Sequence, residues 1–177
     1  MNGASPFATL VSLARRSQRT ARALPAKEDA QTHWTGIGFL LMGQRLVVPL
    51  DDITEIMRVP QVTRLPGVRN FVSGVANVRG RLMAIVDLAG FLGSASSVAR
   101  SQRRVLVVED DEHYLGFMVD ESLGMQHFPA DSFAEDVESV DGKLEPYLDG
   151  SYQLAGTVWP VLNIARLMED PGLEKLG

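Results

Sequence analysis

Residues 72 to 92 recur, without a gap, at an offset of 76 residues. Gly74 and Gly80 are answered by Gly150 and Gly156, and Met83-Ala84-Ile85-Val86-Asp87-Leu88 by Trp159-Pro160-Val161-Leu162-Asn163-Ile164. Each copy reads as a glycine-bounded strand, a second apolar strand, an Asx residue and a short apolar helix. Two related lobes, not one continuous sheet, are the architecture such an echo requires. The pairing of Asp87 with Asn163 also assigns their chemistry. Both side chains can cap a helix through an oxygen, but only the aspartate could act as a general base, so capping is the expected role.

Hydrophobic side chains make up 45% of the 177 residues, enough to bury a core in one domain or two small lobes. Ser5-Pro6 reads as an N-cap with proline at the first helical position, and Phe7, Leu10, Ala14, Ala21 and Leu24 follow at helical spacing. Arg15, Arg16, Arg19 and Arg22 fall on the other side of that amphipathic helix, which ends before Pro25. A polar tether, Ala26 to His33, leads into the body.

From Gly36 the period is that of strands. Segments are expected at Ile37 to Met42, Leu46 to Leu50, Ile53 to Val59, Val62 to Leu65, Phe71 to Val78, Arg81 to Val86, Val105 to Glu109, Tyr114 to Val119, Leu123 to Phe128 and Tyr152 to Leu162. Pro49 suggests an edge strand or a bulge. Strands this short and closely spaced predict a mainly β protein of small barrels. The organisation expected is 1–33 for helix and tether and 34–177 for the body. Its lobes cover about 34–100 and 101–170, with exchange between them allowed, and Ser94 to Ser101 is the loop that joins them.

The net charge of −5 hides a gradient: +3 over residues 1–33, +5 over 34–104 and −13 over 105–177. Opposite potentials of this kind orient protein partners, whereas a nucleic-acid binder concentrates basic charge with aromatics. The acids between Asp131 and Glu145 read as solvated loop residues. There is no cysteine, so disulfides, thiolate catalysis and Cys-ligated metals are excluded. No apolar run approaches the roughly 20 residues of a membrane helix, and arginines occupy the place of a secretory signal's apolar core. A cytoplasmic protein without membrane insertion is expected.

Catalytic patterns are missing. His33, His113 and His127 form no ligand motif, so no metal and no cofactor are expected. Gly36-Ile37-Gly38 opens a strand and cannot cradle a pyrophosphate, and Asp51 and Asp52 are adjacent residues that read as turn acids. Arg104-Val105-Leu106-Val107-Val108-Glu109-Asp110-Asp111 looks like the first strand of a phosphoacceptor receiver domain. An apolar strand, Tyr114 to Val119, follows where that domain needs a helix, and too few residues remain for a complete α/β domain. No enzyme is expected.

Gly74-Val75-Ala76-Asn77-Val78-Arg79-Gly80, followed by Ile85-Val86-Asp87-Leu88, resembles the signature of the CheW family of chemotaxis coupling proteins. Ile53-Thr54-Glu55-Ile56, Val62-Thr63-Arg64-Leu65-Pro66, Gly116-Phe117-Met118-Val119-Asp120 and Asn163-Ile164-Ala165-Arg166-Leu167 agree as well. The resemblance spans about residues 35 to 169. The N-terminal helix and Trp34-Thr35-Gly36-Ile37-Gly38-Phe39 are most similar to the PilI-type branch, which serves type IV pilus twitching systems. Departures are Val78 for leucine, Ala84 for proline, and the extra first 33 residues.

The resemblance implies two SH3-like, five-stranded barrels, each followed by a short helix, and an adaptor's role. Such proteins join the cytoplasmic tip of a methyl-accepting chemoreceptor to the regulatory domain of a CheA-type histidine kinase, with self-association in arrays left open. It further implies a partner-binding set of Ile53, Glu55, Ile56, Gly74, Val75, Asn77, Arg79, Gly80 and Val105. In that set Arg79 would offer a rigid fork of donors to a carboxylate on a receptor or in the inter-lobe seam. Apolar side chains would take a helix face and Glu55 would set register, while Gly74 and Gly80 would admit conformations that a Cβ obstructs. The alternative is a small-barrel regulatory or nucleic-acid-binding protein, against which the acidic second half stands.

Overall fold

The computed structural model describes residues 32–137 and 141–174. The expected N-terminal helix therefore lies outside the described residues. Ten strands form: β1 (His33–Leu41), β2 (Gln44–Pro49), β3 (Glu55–Arg58), β4 (Val72–Val78), β5 (Arg81–Asp87), β6 (Arg104–Glu109), β7 (Tyr114–Val119), β8 (Glu121–Pro129), β9 (Leu148–Leu154) and β10 (Thr157–Leu162). Short helices α1 (Leu88–Phe91) and α2 (Ile164–Met168) follow β5 and β10, and α3 (Pro171–Glu174) follows α2. The strands make two five-stranded sheets, β8-β1-β2-β10-β9 and β3-β6-β7-β5-β4. The fold is mainly β in two lobes.

The sheets are not the two sequential halves of the chain. Each repeat supplies a hairpin and then three more strands. β1–β2 join one sheet while β3–β5 build the other; β6–β7 and β8–β10 do the reverse. The division between sheets falls between β2 and β3 and again between β7 and β8, not near residue 100. Exchange of strands is thus the rule of the fold. Hydrophobic periodicity carries each strand's faces but not its partner, so strand spacing alone does not mark this division.

The echo persists in backbone detail. Gly74 and Gly150 have φ of +146° and +153°. At either, a Cβ would stand 2.4–2.5 Å from a carbonyl oxygen, that of Thr63 or of Ala134. That close approach lets Thr63 bridge Val75 and Ala134 bridge Ser151, again 76 positions apart on the strand side. Positive φ at Arg79-Gly80 (52°, 83°) and Ala155-Gly156 (52°, 81°) turns both hairpins, the signature of a two-residue I′ connection. Asp87 accepts a hydrogen bond from Gly90 N and Asn163 from Arg166 N, so both cap their helices as expected.

Three expectations are corrected. β2 lies inside its sheet between β1 and β10, and Pro49 is its last residue, where the missing N–H costs little. Val62 to Leu65 is no strand and contributes the single bridge at Thr63. Likewise Tyr152 to Leu162 divides at Ala155-Gly156 into the ends of β9 and β10.

A large apolar cluster seals the two sheets together, with Phe39, Leu41 and Leu46 from one and Leu106, Leu115 and Phe117 from the other, all at most 1% exposed. The barrel interiors differ. Met83, Ile85, Val105, Val107 and Met118 fill that of β3–β7. Phe128 and Trp159, with Val47, Val161, Trp34 and Tyr152, fill the other. The joining loop is pinned at both ends. Ser96 donates to Asp120 (2.6 Å), and Arg103 donates to Asp87 (2.9 Å).

Candidate docking site

Barrel closure places β3 beside the β4–β5 hairpin, although the two stand at opposite edges of the strand order. There the Arg79 guanidinium donates to the Glu55 carboxylate, so the acceptor foreseen on a partner or in the seam lies within this chain. The left-handed turn at Arg79 lifts its side chain, 68% exposed, above the barrel, while Glu55 is 30% exposed. Asn77 Oδ1 accepts from Gly80 N at 3.0 Å and braces the turn. An exposed pair of this kind adds little stability, about 0–1 kcal/mol, and leaves donors of the guanidinium open to a further carboxylate.

Around this pair the expected residues divide. Val75 and Asn77 lie on the outer face of β4, opposite Ala84 and Leu82 of β5. Ile53 and Ile56 are half-buried and rest on the seam cluster, so each offers only an edge. Gly74 is buried and acts through the Thr63 bridge. Val105 does not belong to the surface: it is 0% exposed and points into the barrel with Met83 and Ile85. A strand covered on both faces reads as a continuous apolar run, and nothing in Arg104 to Val108 distinguishes the inward valine from an outward one.

Leu82 was missed. It is 70% exposed, the most exposed large apolar side chain among the described residues. Period-two alternation from buried Met83, with Asn77 directly across the hairpin, would have placed it outside. Beside it, Arg81 stacks over Tyr114 at 3.9 Å from the ring centroid and donates to Glu109 at 2.6 Å. Val75, Leu82, Ala84 and Tyr114 line a shallow depression of about 430 Å³. Next to it, the backbone N–H of Glu112, followed by His113, holds the Asp110 carboxyl below its ordinary range.

The arrangement is an exposed ion pair beside an exposed apolar side chain. Among the described residues no group of three or more His, Asp or Glu side chains is placed to hold a metal ion, and no helix is long and apolar enough to cross a membrane.

Comparison with known proteins agrees with this architecture. The CheW-like domain family matches residues 35–172. The chain is 47% identical over 148 residues to Protein PilI of Pseudomonas aeruginosa, covering 84% of this chain and 83% of that one. It is 28% identical over 142 residues to Chemotaxis protein CheW of Thermotoga maritima, covering 80% and 92%. The crystal structure of scaffolding protein TtCheW from Thermoanaerobacter tengcongensis superposes with a TM-score of 0.68 at 19% identity, covering 78% and 94%, and so shares the fold. Members of this family are scaffolds and adaptors rather than enzymes, and two exchanged barrels with an exposed Glu55–Arg79 edge fit that work. The chain belongs to the CheW family, in its PilI-type branch, and is a chemotaxis-type coupling protein.

Proposed function

We propose that this protein couples the cytoplasmic tip of a chemoreceptor to the regulatory domain of a CheA-type histidine kinase, in a chemosensory system controlling type IV pilus twitching. It works in the cytoplasm and is held at membrane receptor arrays through its partners. One observation carries the reading. The Glu55–Arg79 pair stands on an exposed barrel edge, and nothing like it is present at the equivalent edge of the other barrel. There, strand register puts Gly124 in the place of Glu55 and the repeat puts Ala155 in the place of Arg79. A pair that duplicated architecture does not need is best explained by recognition. Ile53, Ile56, Val75, Asn77 and Leu82 supply the surrounding rim, and Gly74 and Gly80 shape its backbone.

Charge reversal tests the reading by co-sedimentation with receptor-bearing membranes and by kinase stimulation. Arg79→Glu is expected to weaken receptor binding at least about tenfold, a loss of roughly 1.4 kcal/mol, with an unchanged melting curve. The double variant Glu55→Arg/Arg79→Glu restores the intrachain pair with reversed geometry. If it binds as the parent does, the pair is merely structural and the proposed docking role is wrong.

A further inference from the structure

The turn after β2, the β6–β7 turn and α2 enclose a groove of about 610 Å³. Its floor is apolar, made by Val108, Ile164 and Met168, each 6–7% exposed. Its rim carries six carboxylates and one histidine. Glu109 is paired with Arg81, and the Asp110 carboxylate is in hydrogen-bond contact with the His113 ring. Among the described residues, the rim's Asp52, Glu112 and Glu169 form no ion pair. Burial, with the nearby Asp51 and Asp149 charges adding to it, pushes the Asp52 carboxyl above its ordinary value. An apolar trough with this excess of negative charge suits an amphipathic, cationic segment.

The chain has one. Residues 5 to 24 hold four arginines and no acid, with Phe7, Leu10, Ala14, Ala21 and Leu24 on the opposite side of the helical period. No other stretch of the sequence pairs so many arginines with an apolar stripe. Its point of attachment is close. Gly36 lies opposite Pro49, so the start of β1 runs alongside Leu50–Asp52 at the groove's edge. The eight residues from Pro25 to Thr32 reach at most about 26–29 Å, ample for the segment to fold back. We propose that the groove is the seat of the chain's own N-terminal segment, with the apolar stripe on Val108, Ile164 and Met168 and the arginines on the acidic rim.

This proposal is independent of how Arg79 is used. The chain lacks cysteine, so spin labels at Thr20→Cys and Asp111→Cys report one distance without background. The full-length chain is expected to give a narrow, short distance. Neutralising the groove with Asp52→Asn/Glu112→Gln/Glu169→Gln is expected to broaden it, and to speed tryptic cleavage after Arg15, Arg16, Arg19 and Arg22 about tenfold, as a larger open population requires. Arg15→Gln/Arg19→Gln/Arg22→Gln must broaden it too, and that variant leaves the barrels untouched. A broad distance in the parent chain overturns the proposal, as does a distance indifferent to both variants or a cleavage rate indifferent to the groove variant. Loss of the narrow distance on dilution with unlabelled chain would assign the seat to a second copy's segment. Its appearance only on adding kinase or receptor would assign the groove to a partner. Either result also overturns it.

Discussion

Met83 occupies the centre of one barrel and Trp159 the equivalent place in the other, 76 residues on. The exchange of a flexible thioether for an indole is accommodated by its neighbours. Gly38 lies opposite Val47 just as Val107 lies opposite Gly116. A Cβ on Gly38 would meet the Trp159 ring at 2.6 Å, and one on Gly116 would meet Val105 at 2.5 Å. Each barrel thus places its glycine where its own largest side chains need room, on different strands of the hairpin. What the two lobes share is backbone: the left-handed turns, the crowded glycines, the Asx caps and a parallel strand contact (Ala84–Asp87 with Leu115–Met118, and Val161 with Val47). Volume was free to drift provided it drifted in compensating pairs, because interiors are packed to crystal-like density. Surface chemistry drifted furthest, leaving the Glu55–Arg79 edge on a single lobe.

That contrast can be broken most severely inside the barrels. Phe128 contacts Trp34, Tyr152 and Trp159 at centroid distances of 6.0, 5.6 and 5.5 Å and is fully buried. Phe128→Ala is expected to cost about 3–5 kcal/mol, whereas Met83→Leu in the aliphatic barrel should cost less than about 1.5 kcal/mol. Urea unfolding midpoints at constant slope measure both; equal losses would show that the two interiors are energetically alike.

The caps sharpen it next. Asp87 both caps α1 and accepts from Arg103, whose side chain is 10% exposed. Asn163 caps α2 and donates to Asp149 at 3.0 and 3.1 Å. Asp87→Asn keeps a cap but strips Arg103 of its charge partner, an expected loss of about 1.5–3 kcal/mol. Asn163→Asp sets a carboxylate against Asp149 near the surface and should cost only about 0.5–1 kcal/mol. Reversal of that order would mean that the Arg103 pair contributes nothing.

The smallest effect separates Phe71 from its counterpart Tyr147, whose carbonyls accept from Asp87 N and Asn163 N at the same 2.7 Å. Burial, then the hydrogen bond to Asp170, raises the Tyr147 phenol above its ordinary value. With the folded pKa raised, the favourable contribution of the neutral phenol is complete below the unfolded value near 10 and is lost as pH climbs through the folded one. Tyr147→Phe should cost about 1 kcal/mol near pH 7. Stability should then decline less steeply in alkali than in the parent, a difference that denaturation at several alkaline pH values would register.

The duplication, the caps and the mainly β character were legible because they rest on local signals: glycine where φ is positive, an Asx before a helix, alternation in strands. The sheet partners were not. Whether β2 pairs with β10 or β3 depends on packing across more than a hundred residues, and no period encodes it. The proposed docking edge was legible in part. Resemblance led to Glu55 and Arg79, but their contact, 24 residues apart, is a product of barrel closure. The same resemblance misled at Val105, since a position along the chain does not carry the direction of a side chain in a strand buried on both faces.

Strand exchange has a consequence for a chain still being made. All five strands of the barrel from Glu55 to Val119 are contiguous, so it can close soon after Val119 leaves the ribosome. The β1–β2 hairpin, although synthesised earlier, waits for Leu162 before its sheet is complete, roughly 6–23 s after Pro49 at ordinary elongation speed. Until the β3–β7 barrel closes, Phe39, Leu41 and Leu46 have no sheet to pack against, and their own sheet stays open until Leu162 is made. The β1–β2 hairpin, the first strand pair to be made, is therefore the last to have its sheet completed, and chaperone contacts should concentrate there.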